Sequence, residues 1–488
     1  MGKPKTVGEL RKAGYRIRSV KEELRHNLIE RIQRQEPLFP GIIGYDRTAI
    51  PQLENAILSK HDFILLGLRG QAKSRILRQL VNFLDEEIPV IKGCPINDNP
   101  FEPVCVPCQR LRTRQGDGVE IEWLPREARY QEKLATPDVT IADLIGDIDP
   151  IKAARERLDF SDEAVIHYGI IPRTNRGIFA INELPDLPPR IQVGLLNILE
   201  EKDIQIRGFP LRIPLDVLIV STANPEDYTN RGNLITPLKD RIGSQIVTHY
   251  PLNLEDAMAI TAQEAWSDRG LSFEVPYFFR EIIEEVAIEA RKSEFVDQSS
   301  GVSARLAITA YENLLSNMER RGFKTGEKRL YPRICDLIAL LPAITGKIEL
   351  VYEGEQEGPT IVATNLVGKG VKKVFNRYFP PVHRPKGSSS PENPHYKRVA
   401  EHFSGGRTLE ISDEMNFKSY FGALNRVAGL REVTAKYMRP KSERELAAAM
   451  EFVLEGLHQH NVLAKESLDS AFRYTDVLAT VLRDMERE

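Results

Sequence analysis

Apolar residues recur along this chain in two periods. Short runs, Phe63-Ile64-Leu65-Leu66, Gly177 to Ile181 and Leu215 to Val220, have the length of buried strands and end in polar or small residues. Elsewhere the period lengthens to that of an amphipathic helix. Examples are Val20, Leu24, Leu28 and Ile32 behind Ser19, then Ile191, Leu195, Ile198 and Leu199 behind Pro188, and Leu446, Met450, Val453 and Leu457 further on. Ile204, Ile206 and Phe209 alternate around Arg207-Gly208, which predicts a β-hairpin with its tip at Gln205 to Phe209. Strands alternating with helices make residues 38–252 an α/β domain on a parallel sheet. Residues 253–379 read as helical, with a hinge at Asp240 to Pro251. Residues 380–394, PPVHRPKGSSSPENP, read as a linker, and residues 395–488 as a C-terminal helical module. Residues 1–37 read as a basic helical extension whose charged side is solvated.

The first strand runs into GLRGQAKS, Gly67 to Ser74, the pattern of a phosphate-binding loop. Gly67 and Gly70 let backbone N–H groups curl around anionic oxygens, and the following helix presents its positive end. Lys73 is then placed to reach the β- and γ-phosphates of a nucleotide, and the Ser74 hydroxyl to hold Mg²⁺. Ala72 stands where the template has glycine, and a Cβ there is expected to require an ordinary helical backbone.

The second run, GIFAINEL, ends in Asn182-Glu183 where a parallel sheet opens its ligand crevice. Glu183 is the residue expected to polarise an attacking water. Asn182 occupies a position where an aspartate would support the Mg²⁺ water shell, and its amide accepts a hydrogen bond but adds no charge. Slow hydrolysis is the expectation. The third run closes with Ser221-Thr222-Ala223-Asn224-Pro225.

The stretch between Lys73 and Glu183 is long for a compact nucleotide-binding unit and contains Cys94, Cys105 and Cys108 in an insert at about 92–112. Cys-x-x-Cys with a third cysteine nearby has the spacing of a tetrahedral Zn²⁺ knuckle, although no fourth ligand is evident. Free or redox-active thiols are the other reading, and an iron–sulfur cluster a third. Flanking prolines and the lack of apolar periodicity argue against buried core cysteines. Cys335, in an apolar run, reads as core.

The chain has 488 residues, 41% of them hydrophobic, enough for about three domains with real cores. Four cysteines make no disulfide framework. No apolar stretch approaches the roughly 18 residues that span a bilayer, and no signal-peptide pattern opens the chain, so the cytoplasm is the expected compartment without membrane insertion. A net charge of −3 argues against nonspecific nucleic-acid binding.

FPGIIGYD (Phe39 to Asp46), GLRGQAKS, GIFAINELPDL, STANP, ITPLKDRIGSQI and GVSAR follow one another in an order that resembles the AAA+ ATPases of the helix-2-insert group. The likeness is to the MoxR-like ATPases and the ATPase subunit of magnesium chelatase, over about residues 38 to 350. The resemblance implies a P-loop AAA+ domain with an insert hairpin directed to the ring's pore or its partner, followed by a helical lid. It makes Gly67, Gly70, Gln71, Ala72, Lys73 and Ser74 the ATP loop, and Ile42, Ile43 and Leu77 apolar contacts of the nucleotide. Asn182 and Glu183 form the acidic motif, Asn224 the sensor that orients water, Arg241 the finger reaching a neighbouring subunit, and Arg305 the lid sensor. Arg173 and Arg176 in PRTNRG are further candidates for contacts between subunits. The implied machine is a hexameric ring that uses Mg-ATP to remodel or mature a partner carrying a von Willebrand factor A domain. A motor subunit of a porphyrin magnesium chelatase is the narrower version. An ATP-binding scaffold that barely hydrolyses is the rival. No GAFTGA-like loop marks an enhancer-binding activator, and no winged helix marks a helicase or clamp loader.

Overall fold

The computed structural model describes residues 2–157, 165–206, 212–225, 234–383, 394–404, 406–468 and 471–477. They form two compact units, Met1–Tyr250 and Pro251–Glu488.

The first unit is built on five strands: β1 (Phe63–Leu66), β2 (Tyr130–Leu134), β3 (Gly177–Asn182), β4 (Val217–Ala223) and β5 (Ser244–Val247). They are all parallel, in the order β5-β1-β4-β3-β2. β3 and β4 are buried along their whole length, so they read as unbroken runs rather than as alternation. Alternate residues nevertheless serve opposite faces. Ile64, Phe179, Ile181, Val217 and Ile219 enter one core, while Phe63, Leu65, Ile178, Ala180, Leu218 and Val220 enter the other. A slip of one residue in register would exchange the two sets.

The N-terminal residues belong to this unit and are not an appended extension. Val7 and Leu10 are fully buried in the first core, and Val20, Leu24 and Leu28 in the second. Helix Val20–Gln33 starts with a Ser19/Glu22 capping box. Its charged side is not simply solvated, because Glu23 is buried and receives both terminal nitrogens of buried Arg129 at 2.7 Å each. Lys21 pairs with Asp62 at 2.7 Å. Such a buried pair is costly to break, about 3–5 kcal/mol when one partner is removed.

The expected hairpin is present at its base, where Asp203–Gln205 pairs antiparallel with Arg212–Pro214. Ile204, Ile206 and Ile213 are buried in the unit's own core. Of the expected tip, Gln205 to Phe209, Gln205 ends the first strand of the pair and residues 207–209 lie outside the described residues.

In the second unit, helices Tyr277–Ala290, Arg305–Thr325, Pro359–Tyr378 and Glu443–Gln459 share one core. Phe452 stacks on Phe278 with ring centroids 4.8 Å apart and meets Phe375 edge-on at 5.9 Å. The separation into a lid and an independent C-terminal module therefore gives way to a single hydrophobic cluster. That C-terminal part is also not purely helical. Leu409–Ile411, Phe472–Asp476 and Leu463–Ser467 form a three-stranded antiparallel sheet, from strands too short to show a period in the sequence. Most of the expected linker, residues 384–393, lies outside the described residues. Among the described residues no helix is long and apolar enough to cross a membrane.

Candidate nucleotide site

The carboxyl ends of β1, β3 and β4 converge in the first unit, and the motif residues stand there. β1 passes into Gly67, whose N–H donates to the Ala223 carbonyl at 3.1 Å. A Cβ on Gly67 would overlap Thr248 Oγ1 and Gln71 Oε1, so only glycine fits that approach. Gly70 has φ +75°. The buried Gln71 closes the loop from below, with Thr248 Oγ1 donating to its Oε1 at 2.7 Å. The Tyr45 hydroxyl is shared between the carbonyls of Gln71 at 3.0 Å and His249 at 2.7 Å.

Ala72 corrects the expectation of a helical backbone, because it lies in the left-handed region at φ 58°, ψ 13°. The loop keeps the conformation that glycine would adopt and carries the Cβ at a cost of roughly 1–2 kcal/mol. Lys73 opens the helix Lys73–Gln79 and is 7% exposed. Its ammonium donates to the loop's own carbonyls, Gly67 O and, at 3.1 Å, Leu68 O.

Ser74 Oγ donates to Asn182 Oδ1 at 3.2 Å, which joins the loop to the end of β3. Thr222 Oγ1 stands 3.4 Å from the same oxygen. Asn182 Nδ2 donates to Glu132 Oε1 at 2.5 Å, and Glu132 is gripped from the other side by Arg78 through Nε and one terminal nitrogen at 2.8 and 2.9 Å. The Arg78 hydrogen bonds hold the Glu132 carboxyl below its ordinary pKa. This arrangement gives a reason for the amide at position 182. An aspartate there would face an ionised carboxylate, whereas asparagine donates to it. Glu132, on β2, supplies a negative charge beside the loop that the chain pattern did not reveal, because YQEKL carries no motif.

Glu183 follows β3 in a left-handed conformation, φ 55° and ψ 50°, and its N–H donates to Thr222 Oγ1 at 3.0 Å. A non-glycine residue held there stores backbone strain, and such strain clusters at functional sites. Asn224, just past β4, is 7% exposed, and its Oδ1 has no hydrogen-bond partner among the described residues.

The remaining candidates fall elsewhere. Arg241 ends helix Thr236–Arg241 and is engaged within the chain, Nε donating to Glu200 Oε2 at 2.6 Å and one terminal nitrogen to Pro237 O at 2.9 Å. Arg305 is exposed at the start of helix Arg305–Thr325 in the second unit. Ile42 is buried and Ile43 partly so. Leu77 is fully buried in the second core of the first unit, so it packs the sheet and has no surface to offer a nucleotide. Arg176 is also corrected. It is buried, with φ 62° and a guanidinium nitrogen donating to Pro89 O at 2.6 Å, and so is not available to a neighbouring subunit. Arg173 is exposed. Cys105 and Cys108 are buried, contrary to the loop expectation, as members of the same hydrophobic core as Val7, Leu10 and Val119. Cys335 is buried as core.

The model of the family described as Sigma-54 interaction domain matches residues 156–245, from before β3 to β5. A magnesium-chelatase subunit ChlI homolog of Methanocaldococcus jannaschii is 29% identical over 217 residues, 43% of this chain and 53% of that protein. The hydrogenase transcriptional regulatory protein HoxA of Cupriavidus necator is 32% identical over 88 residues, 18% of each. The chain thus spans about half the length of the first of these relatives and under a fifth of the second. Among solved structures, a complex of the magnesium chelatase subunits BchI and BchD matches with a TM-score of 0.34 at 19% identity, over 65% of this chain and 98% of that one. NtrX of Brucella abortus matches with a TM-score of 0.34 at 13% identity, over 59% and 55%. The sheet order, the motif residues gathered at its carboxyl edge and the similarity to the M. jannaschii protein relate this chain to the AAA+ ATPases of the magnesium chelatase group.

Proposed function

We propose that the protein hydrolyses Mg-ATP as a ring, a hexamer, and uses the cycle to remodel or mature a cytoplasmic protein partner that carries a von Willebrand factor A domain. One observation carries the reading. Lys73, Ser74, Asn182, Glu183 and Asn224, from three separate strand ends, meet at one edge of the sheet, with an amide oxygen that has no partner among the described residues. The site fits the nucleotide chemically. Lys73 now rests on backbone carbonyls that a phosphate would displace, and Ser74 offers a hydroxyl already aligned with Asn182. Mg²⁺, when bound, would be held by Ser74 with Asn182 supporting its water shell, and would neutralise charge on the transferring phosphoryl group. Glu183 accepts the proton side of an attacking water and Asn224 orients that water. Arg241 acts on the neighbouring subunit's nucleotide after exchanging its bond to Glu200, and Arg305 serves as the lid sensor. The name of the M. jannaschii relative supports the narrower version, a motor subunit of a metal chelatase.

The test is steady-state ATP hydrolysis with Mg²⁺ across protein concentrations, wild type beside Glu183→Gln. Turnover per subunit that climbs with concentration and collapses in the variant is the expected result. Tight ATP binding with negligible turnover would favour the second reading, a nucleotide-gated scaffold. The observation on that side is Asn182, whose amide is turned to Glu132 and adds no charge beside Ser74.

A further inference from the structure

The insert between the phosphate loop and β3 folds its three cysteines together with a residue that carries no cysteine spacing. Cys94, Asp98, Cys105 and Cys108 each bring one donor atom into a group whose members all lie within 4.8 Å of one another. The Cys94 and Cys105 sulfurs are 3.9 Å apart. A tetrahedral Zn²⁺ with bonds of about 2.3 Å sets sulfur–sulfur edges of about 3.8 Å. A disulfide would need about 2.05 Å.

Asp98 is the independent sign that a cation belongs there. Its side chain is completely buried, and it accepts the backbone N–H groups of Val104 at 3.1 Å and Cys105 at 3.0 Å, with the Cys105 thiol also within hydrogen-bond reach. No lysine or arginine pairs with it among the described residues. A buried carboxylate without a countercharge is expensive, and each of its oxygens keeps a lone pair for a metal. We propose that Cys94, Asp98, Cys105 and Cys108 bind one structural Zn²⁺ per chain.

Four protein donors leave no open position, so the centre is closed and serves the fold. Its place shows what it fixes. Cys94 and Cys105 bracket an irregular segment, residues 95–104, that contains Asp98 and leads from the Glu87–Ile91 strand into helix Val106–Gln115. That segment is tied to the chain entering β3, since Asn97 Nδ2 donates to Arg173 O at 2.8 Å and Asn175 Nδ2 donates to Ile96 O at 3.0 Å. β3 ends in Asn182, next to Glu183. The metal therefore staples the insert against the strand that presents the water-activating carboxylate. Thiols must lose their protons to bind, so uptake releases protons and weakens as pH falls.

The experiment is metal analysis of the full-length protein, purified reduced and passed over chelating resin. About one zinc per chain is expected, with X-ray absorption at the zinc edge showing three sulfurs and one light donor. Cys108→Ser should lower retained zinc at least tenfold, whereas Asp98→Cys should keep it and raise the sulfur count to four. Stripping zinc from the wild type should speed proteolysis within residues 92–108, and adding Zn²⁺ back should restore protection. A wild-type protein that neither contains zinc nor takes it up overturns the proposal. So does iron with visible absorption, a Cys94–Cys105 disulfide in the purified chain, or unchanged zinc in Cys108→Ser. Because these readouts do not depend on turnover, failure of the ATPase reading leaves them intact.

Discussion

The carboxyl edge of the parallel sheet and the middle of the second unit bury polar groups to similar depth, but satisfy them in opposite ways. At the sheet edge, Asn224 Oδ1 has no partner among the described residues, Lys73 rests on carbonyls of its own loop, and Ala72 and Glu183 hold left-handed backbone. In the second unit, Glu451 accepts Ile334 N–H at 2.8 Å, Cys335 N–H at 3.0 Å and the Tyr420 hydroxyl at 2.6 Å. Asp336 accepts Arg321, Asn317 Nδ2 at 2.8 Å and Arg333 N–H at 2.7 Å. A network with every member satisfied specifies one packing, whereas groups left open or strained are arranged for a guest. Burial does not separate these two regions, but the way their polar groups are satisfied does.

Removing an acceptor from the closed network should have the largest effect. Glu451→Leu strands two backbone donors and a tyrosine hydroxyl, and urea denaturation should show a loss of about 3–5 kcal/mol. A loss below about 1 kcal/mol would mean that the network is not what holds this unit. At the open site the expected cost falls on the ligand and not on the fold. Lys73→Ala should weaken ATP binding on the order of 100-fold by calorimetry, about 3 kcal/mol, while leaving the melting temperature nearly unchanged. Unaltered affinity would erase the contrast between the two regions.

A third test uses pH. Glu284 is buried beside Thr261, which donates to it at 2.5 Å, and burial raises its pKa to about 7. The folded form then binds a proton that the unfolded form has released, so stability falls as pH rises from about 4.5 to about 7 and is level beyond. The loss is on the order of 3 kcal/mol for this group alone, and Glu284→Gln should flatten it. An identical pH profile in wild type and variant would show that Glu284 titrates normally. The smallest effect is at the loop. Ala72→Gly relieves left-handed strain and should raise stability by about 1 kcal/mol, read as a small rise in melting temperature. A drop would show that the Ala72 methyl packs usefully.

Contiguous features were legible in the chain. The phosphate loop and the strand ends at Asn182-Glu183 and Asn224 are each written within a few residues, because a loop or a strand end is a local geometry. Features made by distant segments were not. Glu132 meets Asn182 across 50 positions, and Thr248 meets Gln71 across 177. Asp98 carries no signal until the insert folds its carboxylate toward Cys105. Leu77 and Arg176 were misread for the complementary reason, since a motif position does not reveal which way a side chain points or how deeply it is covered.

By itself the sequence determined the α/β class of the first unit, the phosphate loop and the order of its motifs, because apolar period and loop chemistry act over short stretches of chain. Only the tertiary structure decided that Ala72 takes glycine's conformation, that Glu132 stands beside Asn182, that Asp98 joins three thiols, and that the C-terminal residues complete the core begun at Phe278. Each of these depends on which surfaces meet when apolar area is buried, and that is a property of the packed chain rather than of any segment.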